Sequence, residues 1–139
     1  MERIIIRGLL LLCLMIVSGC AYRMGTCEVH DQSMKAFNRL LRWHEVESAG
    51  MAYLESSLRD TFMKSAADMK KRGVVITDYR ILTSECLADK RSAEVIAEFD
   101  YYVQPSVRVR SISYRQLWSF GDDEEKKSWK LKSGLPPFD

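Results

Sequence analysis

At Gly73 the spacing of apolar residues changes from three-to-four to two, which divides the chain into a helical half and a strand half. From Glu28 to Arg72 there is no proline and a single glycine, Gly50. Met34, Phe37, Leu40 and Leu41 fall on one stripe, with Lys35, Arg39 and Arg42 between them, so the spacing predicts a helix over 29–46. Glu47-Ser48-Ala49-Gly50 predicts a break, with Ser48 placed to cap the next helix. Met51, Leu54, Leu58, Phe62, Ala66 and Met69 form a second stripe. Lys70-Lys71-Arg72 and then Gly73 match the preferred end of a helix: cations meet the negative end of the dipole, and glycine accepts the left-handed backbone.

Beyond Gly73 the alternation predicts a strand over 74–85, a turn at Leu87-Ala88-Asp89-Lys90, and a second strand whose Val95, Ala97, Phe99, Tyr101 and Val103 face one side. Pro105 ends that strand, having no N–H to give a ladder. Val107 to Phe120 reads as a third strand, and a change of apolar phase between Val109 and Ile112 predicts a bulge near Arg110-Ser111. A polar hairpin connection over 121–127 leads to a short fourth strand marked by Trp129 and Leu131. Helices first and strands after, joined by short turns, predict an α+β domain over 28–139: N-terminal helices packed on a four-stranded antiparallel meander.

That order, with Gln116-x-Trp118 late in the third strand and Trp129-Lys130-Leu131 closing the sheet, resembles the NTF2-like (cystatin-like) cone folds, in which a curved sheet wraps a long helix. The chain is also similar to small uncharacterised bacterial lipoproteins with a Leu41-Arg42-Trp43 helix and an Asp100-Tyr101-Tyr102 strand. The cone-fold resemblance implies a pocket between sheet and helix in some members, catalysis by a carboxylate or histidine there in others, and pairing into a homodimer through the sheet.

The first nineteen residues read as an address. Arg3 and Arg7 precede an uncharged apolar run from Gly8 to Val17, ten residues long. A membrane span needs roughly 20, so this run has the length of a signal-peptide core. Val17-Ser18-Gly19-Cys20 resembles the lipobox of bacterial lipoproteins. That resemblance implies cleavage before Cys20, acylation of Cys20, a short tether over 20–27, and attachment to the membrane by several acyl chains. Ala21, rather than aspartate, stands after the cysteine, which by the same resemblance implies the outer membrane facing the periplasm in a two-membrane host. Cys13 leaves with the signal, so Cys27 and Cys86 remain as a pair in an oxidising compartment. A Cys27–Cys86 disulfide is the expectation, against two buried free thiols or a link between chains.

The charges, 21 basic against 19 acidic, give a formal net charge of +2, with no basic excess of the kind nucleic acid demands. No phosphate loop, nucleophile elbow or HExxH motif is present, and two histidines fourteen residues apart do not make a metal site, so no cofactor or metal is expected. Asp78 and Asp100 alternate away from the core. His30 opens the first helix, and Lys70-Lys71-Arg72 reads as a solvated helix end, with a lipid headgroup as the sharper alternative.

The residues read together as a non-catalytic envelope module that binds a partner protein or an apolar ligand. The alternative is a small enzyme of isomerase or hydrolase type, with His44 as base and Tyr101 or Tyr114 as proton donor. Trp43, Trp118, Phe120 and Trp129 are the aromatic residues expected to line a pocket, if they are not simply core.

Overall fold

The computed structural model describes residues 25–123 and 126–139; the expected signal segment, Cys20 and most of the expected tether lie outside them. Among the described residues the chain runs α1 (Thr26–Arg42), α2 (Val46–Tyr53), α3 (Ser56–Arg72), β1 (Val74–Leu87), β2 (Ser92–Val103), β3 (Arg110–Asp123) and β4 (Lys126–Leu131). The strands pair in chain order, each antiparallel to the next. The domain is therefore α+β, with helices followed by a meander.

The helical half is divided differently from the expectation. α1 buries His30, Met34, Phe37, Asn38 and Leu41 on one face and ends at Arg42, not at residue 46. His44 then takes a left-handed backbone, φ 64°, which a helix cannot continue. The expected break at Glu47–Gly50 lies inside α2, and Ser48 caps nothing. Gly50 serves packing instead: a Cβ there would sit 2.7 Å from the Phe62 ring, so α2 and α3 approach through it. The second apolar stripe is also interrupted. Met51 is 58% exposed, while Leu54 leaves the helix to bridge Leu131 in parallel, with Glu55 N–H donating to Leu131 O at 3.1 Å. A helix resumes at Ser56 and ends as expected, Gly73 taking φ 73° after Lys70-Lys71-Arg72.

In the sheet, β2 alternates as read, burying Ala93, Val95, Ala97, Phe99 and Tyr101. β1 carries two register shifts, between Ile76 and Asp78 and between Ile81 and Thr83. The first moves the inward phase from Ile76 to Tyr79 and Ile81. The bulge expected near Arg110-Ser111 is not needed: β2 and β3 pair without a shift from Tyr101↔Arg110 to Ser92↔Ser119. Val107, 83% exposed, belongs to the loop before β3, which removes the apparent change of phase. After β4 the chain folds back, and Phe138 is fully buried against Tyr101 and Phe99 at ring distances of 5.0 and 6.3 Å.

Cys27, in the first turn of α1, is bonded to Cys86 near the end of β1, with 5.8 Å between the Cα atoms. One end of the domain holds the disulfide and the β1–β2 turn. The other holds the end of α1, the end of α3 and the start of β1.

Candidate functional site

Two places concentrate chemistry-bearing side chains. The first is the interface between α1 and β3, where a cone fold of the resembled kind would hold its ligand. The inward positions of β3 are Tyr114, Gln116 and Trp118, all buried. Phe37 meets Trp118 edge-on at 5.7 Å and Tyr114 at 6.5 Å, and Tyr53 meets Trp118 at 6.3 Å. Gln116 Nε2 donates to Asn38 Oδ1 at 2.6 Å, and Asn38 Nδ2 donates to Met34 O at 2.9 Å. His30 sits edge-on between Trp118 and Trp129, at 5.6 and 4.8 Å. Burial lowers its pKa, and neighbouring Asp31 offsets part of that effect. Burial also pushes the Tyr114 phenol well above the usual range, and its hydroxyl has no hydrogen-bond partner among the described residues. These side chains fill the interface.

The second place is a cleft of about 130 Å³ at the end away from the disulfide. Its floor is Leu41 from α1, Ala66 and Met69 from α3, and Ile76 from β1, all buried. Val46 and Val74 form its walls, and His44, Glu47 and Lys70 stand at its exposed rim. The turn after α1 puts His44 there. Its Nε2 lies 3.1 Å from Ile76 O, an atom that can only accept. Nε2 therefore carries the proton, and in the neutral ring Nδ1 is the basic nitrogen. Arg42 Nη1 donates to the same carbonyl at 3.4 Å.

The structure does not assemble the expected catalytic pair. Tyr101 donates its hydroxyl to Asp139 O at 3.0 Å, beneath the returning tail. Tyr114 is closed into the α1–β3 interface. Neither lines the cleft that His44 borders. Of the four aromatic residues expected at a pocket, Trp43 is 64% exposed with the Arg42 guanidinium 5.3 Å from its ring centre. Trp118 and Trp129 are core, the latter donating from Nε1 to Thr26 O at 2.9 Å. Phe120 is half-buried against Trp129 at 5.5 Å.

Asp100 stands on the outer face of the sheet, where Ser111 and then Arg80 hold its carboxyl below the usual range. Asp78 is exposed there too. Nothing in the sequence marks the buried Asn38 or the cleft residues Val46 and Glu47 as site residues, and Lys70 stands out there only as part of a basic helix end. The one signal for Asn38 is its i+4 spacing from Met34 on the buried stripe.

Among the described residues, no group of three or more histidine, cysteine, aspartate or glutamate side chains is placed to hold a metal. No helix there is long and apolar enough to cross a membrane. No protein-family model matches the chain, and no curated protein matches it in sequence. Among solved structures it is similar to the crystal structure of the intermembrane space region of the chloroplast protein ARC6. The TM-score is 0.49 at 17% identity, covering 74% of this chain and 94% of that one.

Proposed function

We propose that the chain is a cell-envelope protein anchored by lipid at Cys20, whose domain is a non-catalytic module that binds its ligand at the end away from the membrane. The observation that carries this reading is the relation between the two ends of α1. Cys27 stands seven residues after Cys20, so at about 3.5 Å per extended residue the tether reaches no more than ~25 Å. The disulfide fixes that end of α1 to the sheet. The cleft lies at the other end of a 17-residue helix, about 25 Å away at ~1.5 Å per residue. Such a module would offer its open cleft outward, into the periplasm if the host has two membranes. A disulfide suits an exported chain.

The test has two arms. Cys20→Ser should abolish incorporation of a clickable palmitate analogue and release the protein from the membrane fraction; continued labelling overturns the anchor. A photo-crosslinking residue at the rim position of Glu47 should give adducts that one at Ser113, on the outer face of the sheet, does not. Equal adducts from both positions would overturn the placement of the binding end.

A further inference from the structure

A binding module at this end leaves the ligand open, and the cleft restricts it. Its size is the first restriction. An apolar cavity of ~150 Å³ accepts a molecule the size of benzene. At about 130 Å³ the cleft takes a group of about four to six heavy atoms and is too small for a sugar or a nucleobase with its substituents. The second restriction is the floor. Leu41, Ala66, Met69 and Ile76 present apolar side chains, and the Ile76 carbonyl is already taken by His44 and Arg42. A polar body would lose its water there without replacement.

The third restriction is the rim. Lys70 supplies one positive charge and Glu47 one negative, and neither has an ion-pair or hydrogen-bond partner among the described side chains. A simple aliphatic acid would meet Lys70 but also Glu47. A simple amine would have the opposite difficulty. A ligand bearing both charges next to a short aliphatic chain satisfies the floor and both charged rim residues.

Resting on the binding-module reading, we propose that the cleft binds an aliphatic α-amino acid. Its side chain occupies the floor, its carboxylate faces Lys70 and its ammonium faces Glu47. The exposed rim charges add selectivity more than affinity, so dissociation constants on the order of a millimolar are expected.

The experiment uses the processed chain, purified as the cell makes it with its disulfide intact. Methyl NMR spectra are titrated with L-leucine, isovalerate and isoamylamine; the last two each lack one of leucine's charges. Saturable shifts at the methyls of Leu41, Met69 and Ile76 are expected with leucine, with each analogue weaker by about threefold. Lys70→Met should weaken leucine about threefold without weakening isoamylamine, and Glu47→Gln should likewise weaken leucine without weakening isovalerate. Ala66→Leu should fill the floor and remove binding. Should that variant not fold, the two exposed rim variants decide the matter alone.

Absence of saturable shifts with leucine overturns the proposal. So does an isovalerate affinity equal to that of leucine, which would leave a binding module for plain aliphatic acids. If leucine binds but its mass changes on incubation, the amino-acid site stands and the non-catalytic reading falls.

Discussion

Asn38 and Gln116, 78 residues apart in sequence, meet amide to amide at full burial between α1 and β3. Each arm satisfies the other, and Asn38 also closes on Met34 O. Removing one arm leaves its partner desolvated and unpaired, which costs more than the bond itself is worth. Asn38→Leu and Gln116→Met, each alone, are therefore expected to lower unfolding free energy by about 2–3 kcal/mol. The double variant Asn38→Leu with Gln116→Met should recover part of that loss, because both amides leave together and only Trp118 Nε1, which donates to Gln116 Oε1 at 3.4 Å, loses its acceptor. Urea denaturation of the four proteins in this cycle measures the coupling; additive losses would show that the pair is not a unit.

Tyr114, on the same strand and the same face, is the opposite case. Its hydroxyl is buried with no partner among the described residues. Tyr114→Phe keeps the ring contacts with Phe37 and Phe99 and removes only the stranded oxygen. Stability should rise by about 1 kcal/mol, which is a few degrees in Tm for a domain of this size. A loss of stability would mean that the hydroxyl has a partner after all, such as an ordered water.

These two positions show what a sequence can and cannot carry. The inward phase of β3 is legible from period-two alternation through Tyr114 and Trp118, and with it the class of fold. What fills the interface is not legible. Asn38 and Gln116 can be buried only because they meet, and a meeting across 78 residues leaves no local mark. The division of the helices escapes the sequence for a similar reason. Gly50 and Ser48 look like a break by propensity, yet contact with Phe62 asks for a glycine inside a helix. The cleft is half legible. His44 stands out on its own, but Lys70 and Glu47 join it only through the turn that His44 itself makes.

His30 ties stability to pH. Burial between Trp118 and Trp129 lowers its folded-state pKa below its ordinary value of 6.5. Above that value the ring is neutral in both states and has no effect. As pH falls through it, the unfolded chain takes a proton that the folded chain refuses, so stability drops until the folded pKa is reached. The drop from this group approaches about 1.4 kcal/mol per pH unit at its steepest. His30→Leu should flatten the profile in the window that opens near the ordinary value of 6.5 and runs down to the lowered folded-state pKa. The decline should persist at lower pH, where Glu94 and Asp100, whose pKa values are lowered mainly by hydrogen bonds from Arg115 and Ser111, lose their charge. Chemical denaturation at stepped pH reads both windows, and an unchanged slope in the variant would remove His30 as the cause.

The disulfide closes a loop with a sequence separation of 59 residues. Chain-entropy arithmetic for a loop of that length gives about 4 kcal/mol, a value that strain or residual structure in the unfolded chain reduces. Cys86→Ser should therefore cost about 2–4 kcal/mol. The loss should appear first as exchange of amide hydrogens in the first turns of α1 and at the end of β1. Uniform protection loss across the domain would instead indicate that the bond holds the fold as a whole and not one end of it.

Gly50 offers the sharpest steric test. Alanine normally stabilises a helix interior by about 1 kcal/mol over glycine. Here its Cβ would lie 2.7 and 2.9 Å from two atoms of the Phe62 ring, closer than van der Waals contact allows. Phe62 is itself buried, so the ring cannot swing into solvent, and α2 must move off α3. Overpacking of this kind costs about 1–3 kcal/mol, which outweighs the propensity gain. Gly50→Ala should thus destabilise, whereas Gly134→Ala, where a Cβ meets nothing within 4 Å, should not. Adding Phe62→Leu to Gly50→Ala should return part of the loss relative to Phe62→Leu alone. If the double variant loses the full sum of the two single costs, the ring is not what forbids a side chain at position 50.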